Sequence, residues 1–118
     1  MMEFQDNIPI YVQIANDIKE QIISGVLEDG EKLKSVREYS VLYEVTTLTI
    51  QRTIQLLETE SVVYTKKGVG SYIVEGVQKV LETKMVNMQV QEFIRRMKNM
   101  GVPKVDTLNM VQEALTNE

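Results

Sequence analysis

Cysteine and histidine are absent from this chain of 118 residues, and each absence excludes a class of function. Without cysteine there are no disulfides and no thiolate chemistry, and without either residue the usual zinc sites are excluded. A histidine general base is excluded as well, so an enzyme would depend on carboxylate, lysine or tyrosine chemistry. We therefore expect no metal and no cofactor.

Long apolar runs are also missing, because none approaches the roughly 20 residues that a membrane-spanning helix needs. Residues 1–8 are polar and acidic and do not resemble a secretion signal, so we expect a cytoplasmic protein. The segment Gly68-Val69-Gly70 is followed by a β-rich run instead of the helix that a phosphate-binding loop requires. Together with the missing catalytic residue types, this predicts that the chain is not an enzyme.

The net charge is −4, and residues 8–76 alone hold seven basic and ten acidic side chains. This balance counts against nucleic-acid binding, because contact with phosphate is electrostatic. Five of these basic residues nevertheless fall in the segments where the motifs described next would place a DNA-facing surface. These residues are Lys34, Arg37, Arg52, Lys66 and Lys67. We expect DNA binding of reduced affinity from such a distribution.

Three helices are predicted in the first half of the chain. The first follows Pro9 and ends at Gly25, with apolar positions from Tyr11 onwards at helical spacing. The second begins at Ser35-Val36-Arg37-Glu38, a capping-box pattern in which the serine and the glutamate each satisfy a free backbone donor. The third runs from residue 47 to about residue 60, with Thr46 as its N-cap.

A β-hairpin is predicted after these helices. Two β-rich runs, 62–65 and 71–74, flank residues 66–70, whose length and glycine content are typical of a hairpin tip. Residues 26–32 are expected to form a connector with a turn at Asp29-Gly30. This order of elements is that of a winged helix-turn-helix, which places one helix in a DNA groove and a β-wing beside it. The predicted fold class is mainly α with a small β-hairpin wing.

In such a fold the N-terminal end of the third helix reaches base edges. Its hydroxyl groups can bond bases or phosphates, Leu48 can contact the thymine methyl group, and Gln51 can pair bidentately with adenine. The alternative is a polar helix end that is only capped and solvated. The candidate contacts are Thr46, Thr47, Leu48, Thr49, Gln51 and Arg52.

The start of the second helix supplies further candidates. Arg37 can hold a phosphate, and a surface salt bridge to Glu38, Glu44 or another acid is an equal alternative. Lys34 precedes a positive helix end that favours anions. Ser35 already has a capping role, to which a phosphate contact would be additional.

The hairpin tip would form the wing that contacts DNA. Lys66 and Lys67 supply positive charge, and Gly68 and Gly70 permit positive φ and close approach of the backbone to a groove. An ordinary hairpin turn with solvated lysines is the alternative interpretation.

The spacing of apolar residues changes character at Val77. The chain is therefore predicted to have a DNA-binding domain over residues 8–76 and a two-helix dimerisation region over residues 77–118. Residues 1–7 are predicted as a flexible arm. A long helix to about residue 99 carries a heptad seam, and Gly101-Val102-Pro103 separates it from a last helix. These helices cannot bury their apolar stripes alone, and a second copy of the chain is the simplest cover. A ligand pocket lined by methionines is the alternative. The predicted dimer-interface residues are Leu81, Met85, Val86, Val90, Phe93, Met97, Met100, Leu108, Val111 and Leu115.

In the order and spacing of its motifs the chain resembles the GntR family of bacterial regulators. The matching segments are 9–14, 22–25, 30–33, 35–38, 45–52 and 68–70. Only residues 77–118 remain where the family usually carries a larger effector domain. This resembles the short YtrA-like branch, whose C-terminal helices chiefly form a homodimer.

The resemblance implies DNA-contact roles for Arg37, Thr46, Thr47, Leu48, Thr49, Gln51, Lys67 and Gly68. The chain also departs from family preferences. The family favours proline at Lys34, arginine at Thr47 and Gln51, glycine at Ser61 and a basic or polar residue at Val69. The two missing arginines imply weaker binding and a surface that reads thymine methyl groups.

The function that the resemblance implies is a transcriptional repressor that binds a near-palindromic operator in double-stranded DNA as a homodimer. The alternative from another class is a winged-helix protein-interaction module with weakened DNA readout. A small-molecule effector is a further partner to consider, although no residue pattern identifies one. No membrane partner is expected.

Overall fold

The computed structural model describes residues 2–118, which form five helices and one two-stranded antiparallel sheet. The chain divides into two compact units, the first ending at Leu81 and the second running from Glu82 to Glu118. The predicted fold class, mainly helical with one β-hairpin, is confirmed. The elements are α1 (Ile10–Ile23), α2 (Val36–Tyr43), α3 (Thr47–Thr59), β1 (Val63–Lys66), β2 (Gly70–Ile73), α4 (Val77–Asn99) and α5 (Lys104–Thr116).

Helices α1 and α3 pack against each other and together supply seven of the fifteen buried core residues of the first unit. Ile14, Ile18 and Ile22 lie on one face of α1, while Ile50 and Leu57 lie on one face of α3, and all five are buried. Steps of three and four residues place these side chains on a single helical face. Each such burial stabilises the fold by roughly 1.5–3 kcal/mol.

Both helices of the helix-turn-helix begin at the predicted caps. The Ser35 hydroxyl accepts a hydrogen bond from the Glu38 N–H at 3.1 Å, and the Glu38 carboxylate accepts one from the Ser35 N–H at 3.0 Å. The Thr46 hydroxyl likewise accepts the Thr49 N–H at 3.2 Å. Between them Glu44 adopts the left-handed conformation, with φ of 56°, and this ends α2 and turns the chain into α3.

Strands β1 and β2 form the hairpin, with Tyr64 opposite Tyr72 and the two rings stacked at a centroid distance of 5.7 Å. Each strand is displaced by one residue from the predicted runs, so that Lys66 pairs with Gly70 and residues 67–69 form the loop. The hairpin is therefore tighter than predicted, because its first lysine belongs to the sheet.

The segment predicted as a simple connector also pairs with the hairpin. Lys32 forms an isolated antiparallel bridge with Tyr72, and the Leu33 N–H donates to the Ser71 carbonyl at 2.8 Å. The sequence gives no sign of this pairing, because residues 26–32 lack the alternation of apolar and polar residues that marks a strand.

The segment that precedes α1 is attached to that helix. The buried carboxamide of Gln13 accepts the Gln5 N–H at 2.8 Å and donates to the carbonyls of Gln5 at 2.8 Å and Ile8 at 2.7 Å. Phe4 also packs, half-buried, against the core. The flexible arm predicted over residues 1–7 is thus held by α1 within residues 2–7, and Met1 lies outside the described residues.

The first turn of α4 belongs to the first unit. Val77 and Leu81 are buried in its core, and the Asp29 carboxylate accepts the N–H groups of Gly76 and Gln78, each at 3.0 Å. The first unit of the structure ends at Leu81, about one helical turn beyond the boundary predicted after Gly76. Leu81, predicted at the dimer interface, is a core residue of its own chain, because its side chain is already covered there.

The second unit has no buried residue between Glu82 and Glu118. Its two helical segments are the remainder of α4 and all of α5, joined by a turn in which the Val102 N–H donates to the Met97 carbonyl at 3.0 Å. On its polar side the carboxylate of Glu92 accepts hydrogen bonds from the guanidinium groups of Arg95 and Arg96. Large apolar side chains of this unit are exposed to solvent, namely Val86, Met88, Val90, Phe93, Ile94, Met100, Val105, Leu108, Met110 and Leu115.

Candidate nucleic-acid interface

The first turns of α3 present side chains of mixed character to solvent. Thr47 and Gln51 are exposed, and Leu48 is 55% exposed although leucine is normally buried. The Thr46 and Thr49 hydroxyls lie 3.0 Å apart and already serve the helix cap. Thr46 and Thr49 therefore serve to cap the helix. Thr47, like Leu48 and Gln51, is exposed to solvent.

Arg37, on the first turn of α2, has an exposed side chain. The carboxylate of Glu38 is engaged by the Ser35 N–H, and hydrogen bonds from the Ser35 backbone and hydroxyl lower the pKa of Glu38. Within residues 2–118 no ion pair involves Arg37, so the salt bridge to Glu38 or Glu44 considered from the sequence is not formed. The guanidinium is left available to an external anion.

Several acidic side chains of the first unit have partners of their own. The Glu60 carboxylate accepts a hydrogen bond from the Lys19 ammonium at 2.8 Å, and Asp17 accepts the Tyr43 hydroxyl at 2.7 Å. The Asp29 carboxylate accepts the two N–H groups at the start of α4. A unit with surplus acid can therefore still carry exposed basic residues that no described acid neutralises.

Arg52 lines an open cleft between α1 and α3. The cleft has a volume of about 370 Å³, and its other lining residues are Tyr11, Gln55, Leu56 and Thr59. The sequence indicates Arg52 as a DNA contact, but it marks Tyr11 only as part of the apolar stripe of α1. Gln55 carries no sequence signal beyond being polar on a helix. Both become candidates because the structure places them beside Arg52.

The wing holds its first lysine in a defined place. The Lys66 ammonium lies 4.9 Å from the Tyr72 ring centroid and 6.0 Å from that of Tyr64, a cation–π arrangement. Lys67 is exposed, and Gly68 adopts φ of 78° in open space, as a close approach to another molecule requires. These three residues form the exposed tip.

Gly70 has a different reason for being glycine. A Cβ there would lie 2.6 Å from Cε of Lys32, and φ is 146°. The close neighbour is thus the chain itself, in the bridge between Lys32 and the hairpin. Of the two predicted wing glycines, Gly68 is exposed with open space at its Cβ position, whereas Gly70 is half-buried.

The structure therefore places the candidate DNA-contact residues of the first unit in three groups, which lie at the start of α2, at the start of α3 and at the hairpin tip. A short helix, a tight turn, a second helix with an exposed N-terminal end and an adjoining β-hairpin define a winged helix-turn-helix protein of the DNA-binding class.

Comparison with known proteins identifies the family. The sequence profile described as "Bacterial regulatory proteins, gntR family" matches residues 10–73, and the chain belongs to this family. It is a DNA-binding transcriptional regulator and not an enzyme.

The relatives agree along most of the chain. The HTH-type transcriptional regulator YhcF of Bacillus subtilis is 35% identical over 112 residues, which cover 93% of each chain. The HTH-type transcriptional repressor YtrA of the same organism is 34% identical over 93 residues, covering 76% of this chain and 72% of YtrA. A GntR family transcriptional regulator from Listeria monocytogenes has a similar structure, with a TM-score of 0.81 and 36% identity, covering 93% of this chain and 98% of that one.

Proposed function

We propose that the chain is a homodimeric transcriptional repressor that binds a near-palindromic operator in double-stranded DNA. The repressor role is supported by the similarity to YtrA, which is named a transcriptional repressor. The operator symmetry follows from a dimer, because two identical recognition helices match two identical half-sites.

One observation carries the DNA-reading part of this proposal: α3 begins with a satisfied cap and an exposed, chemically varied first turn. A carboxamide at Gln51 suits adenine, and the apolar side chain of Leu48 suits the thymine methyl group. Neither Thr47 nor Gln51 is an arginine, so the usual bidentate partner of guanine is missing from these positions. We infer half-sites that are rich in A·T pairs.

The backbone-contact part of the proposal assigns phosphates to exposed basic residues and to helix starts. Arg37 and Lys34 flank the N-terminal end of α2, where the helix dipole favours an anion. Lys67 and Gly68 at the wing tip would contact the adjoining backbone or groove. Such contacts fix the protein on the duplex without reading sequence.

The dimer is proposed from the second unit, which buries no residue of its own. A helical unit with so many exposed apolar side chains gains stability when another surface covers them. A second copy supplies the same stripe and closes the assembly by two-fold symmetry. We assign the interface to the predicted seam without Leu81, that is, to Met85, Val86, Val90, Phe93, Met97, Met100, Leu108, Val111 and Leu115.

Selection of bound fragments from a pool of random duplexes tests the DNA-reading part. The expected product is an inverted repeat of A·T-rich half-sites with centres about one helical turn or slightly more apart. Enrichment of no sequence over the starting pool would refute sequence-specific binding. Enrichment of a single half-site without symmetry would refute the dimeric mode of binding.

Sedimentation equilibrium of a matched pair of variants tests the dimer. Val90→Asp puts a charge on the proposed seam and is expected to give monomers with much weaker operator binding. Val26→Asp is the control, because Val26 is 69% exposed in the first unit, and it should remain dimeric. Equal behaviour of the two variants would contradict the assigned interface.

A further inference from the structure

The cleft between α1 and α3 is lined in a way that suits an anion. Of its five lining residues, Arg52 provides a guanidinium, Tyr11 a phenol and Gln55 a carboxamide. The other two are Leu56, which is apolar, and Thr59, whose hydroxyl already bonds within α3, so no lining residue is acidic. Arg52 forms no ion pair with any residue in the described range 2–118. An unpaired cation among neutral donors is complementary to phosphate.

The two helices that form the cleft are fixed to each other. The buried Thr53 hydroxyl lies 3.1 Å from the Tyr11 carbonyl of α1 and 3.0 Å from the Thr49 carbonyl of its own helix. Farther along the same two helices, Lys19 forms an ion pair with Glu60 and thereby neutralises the Glu60 carboxylate. The cleft is thus preorganised, which limits the entropy lost when a ligand is bound.

The start of α1 adds backbone donors near Tyr11. Pro9 stands at the N-cap, no side chain caps this helix, and its first turn contains no acid. The N–H groups of Val12 and Gln13 already donate to the Pro9 carbonyl, at 3.1 and 3.2 Å, so the available donors are those of the first two helical residues. The helix dipole gives this end partial positive charge. This end of α1 therefore strengthens an anion site whose charge comes from Arg52.

Arg52 follows Leu48 by four residues, so it lies on the same side of α3 as that part of the DNA-reading end, one turn farther along the helix. Resting on the proposed function, we propose that the cleft receives a phosphate of the DNA backbone next to the bases that α3 reads. Arg52 supplies the charge, and Tyr11 and Gln55 donate hydrogen bonds. These two residues thereby extend the interface beyond the helix-turn-helix motif.

Thr59 provides the matched control. Its hydroxyl donates to the Gln55 carbonyl at 3.0 Å within α3, so its loss should leave phosphate binding unchanged. Affinity is measured by fluorescence anisotropy with the selected operator and with a random duplex, at several salt concentrations. Tyr11→Phe and Gln55→Ala are each expected to lower the affinity for both duplexes about three- to tenfold. Arg52→Gln is expected to lower the salt slope by about one, while Tyr11→Phe leaves the slope unchanged because it removes no charge.

The outcomes separate the failure of this inference from failure of the proposed function. If the wild-type chain shows no preference for the selected operator, the proposed function fails and the phosphate site fails with it. If the wild-type chain binds its operator but Tyr11→Phe and Gln55→Ala bind as tightly as Thr59→Ala, only the phosphate site is refuted. A loss of affinity for the operator alone, with the random duplex bound as before, would indicate a base contact and would also refute the phosphate site. Melting temperatures within the error of wild type show that a loss of binding is not unfolding.

Discussion

The hydroxyl of Tyr43, in the last turn of α2, donates a 2.7 Å hydrogen bond to the Asp17 carboxylate of α1. The Gln21 carboxamide donates to the same carboxylate at 3.0 Å and to the Tyr43 oxygen at 3.3 Å. Burial, and then the bond to Asp17, raise the pKa of Tyr43 above its usual range. This link ties the helix that carries Arg37 to the core helix α1.

Replacing Tyr43 with phenylalanine should lower the free energy of unfolding at pH 7 by about 1–2 kcal/mol, because Asp17 loses a donor in a partly buried place. The pKa of Tyr43 is higher in the folded chain than in the unfolded chain. The link therefore stabilises fully below the unfolded pKa of about 10, weakens as the pH rises above that value, and is lost once the pH has passed the folded pKa. Urea unfolding at pH 7 and at pH 10.5 checks both effects.

The control for this variant is Tyr64→Phe, on the exposed face of the hairpin. It should keep the alkaline loss of stability that is expected of the wild type, whereas Tyr43→Phe should reduce that loss. An unchanged alkaline loss in Tyr43→Phe would show that another group is responsible.

Ser61 lies after α3 in the left-handed region, with φ of 60°, and its N–H donates to the Glu58 carbonyl at 3.0 Å. A residue with a Cβ is disfavoured there by roughly 1–2 kcal/mol, and glycine is not. Ser61→Gly should therefore raise the melting temperature by several degrees, in keeping with about 1 kcal/mol for a small domain. Calorimetry measures the change.

Ser24→Gly is expected to lower the melting temperature, because Ser24 ends α1 in the right-handed region, with φ of −79°. There glycine adds freedom to the unfolded chain and removes the hydrogen bond that the Ser24 hydroxyl donates to the Gln21 carbonyl at 3.2 Å. If both variants shifted the melting temperature in the same direction, backbone strain at Ser61 would not be the cause.

The parts of the fold that depend on local chemistry could be predicted from the sequence. Ser35 and Thr46 mark the helix starts because their hydroxyls bond N–H groups three residues away, and Gly25 marks a helix end because it adopts φ of 83°. The apolar spacing of α1 and α3 likewise reports which face is buried. The helix starts that display Arg37 and Gln51 could be located for the same reason.

The parts that depend on contacts between distant segments could not be predicted. Lys32 pairs with Tyr72, and Asp29 caps α4, across separations that no local pattern encodes. The cleft of Tyr11 and Arg52 arises only when α1 and α3 pack. The DNA contacts and the dimer seam remain predictions, because both require a second molecule.

Asp29 holds the start of α4 by accepting the N–H groups of Gly76 and Gln78, each at 3.0 Å. Asp29→Ala should lower the free energy of unfolding by about 1–2 kcal/mol, as the loss of a capping carboxylate does. Hydrogen exchange should become faster at the amides of Gly76 and Gln78 and stay unchanged in α5. Glu28→Ala, at the exposed neighbouring position, is the control, and faster exchange in both variants would show a general loss of stability.

Arg37 and Lys19 differ in one respect that decides their expected contribution to DNA binding. Lys19 is paired with Glu60 at 2.8 Å, whereas Arg37 is exposed and has no described ionic partner. Arg37→Gln should weaken binding to all duplexes alike and lower the salt slope by about one, because a phosphate contact releases counterions without reading sequence. Lys19→Gln should leave the slope unchanged. Anisotropy titrations between low and moderate salt measure both slopes, and equal slopes for the two variants would place the DNA on another surface.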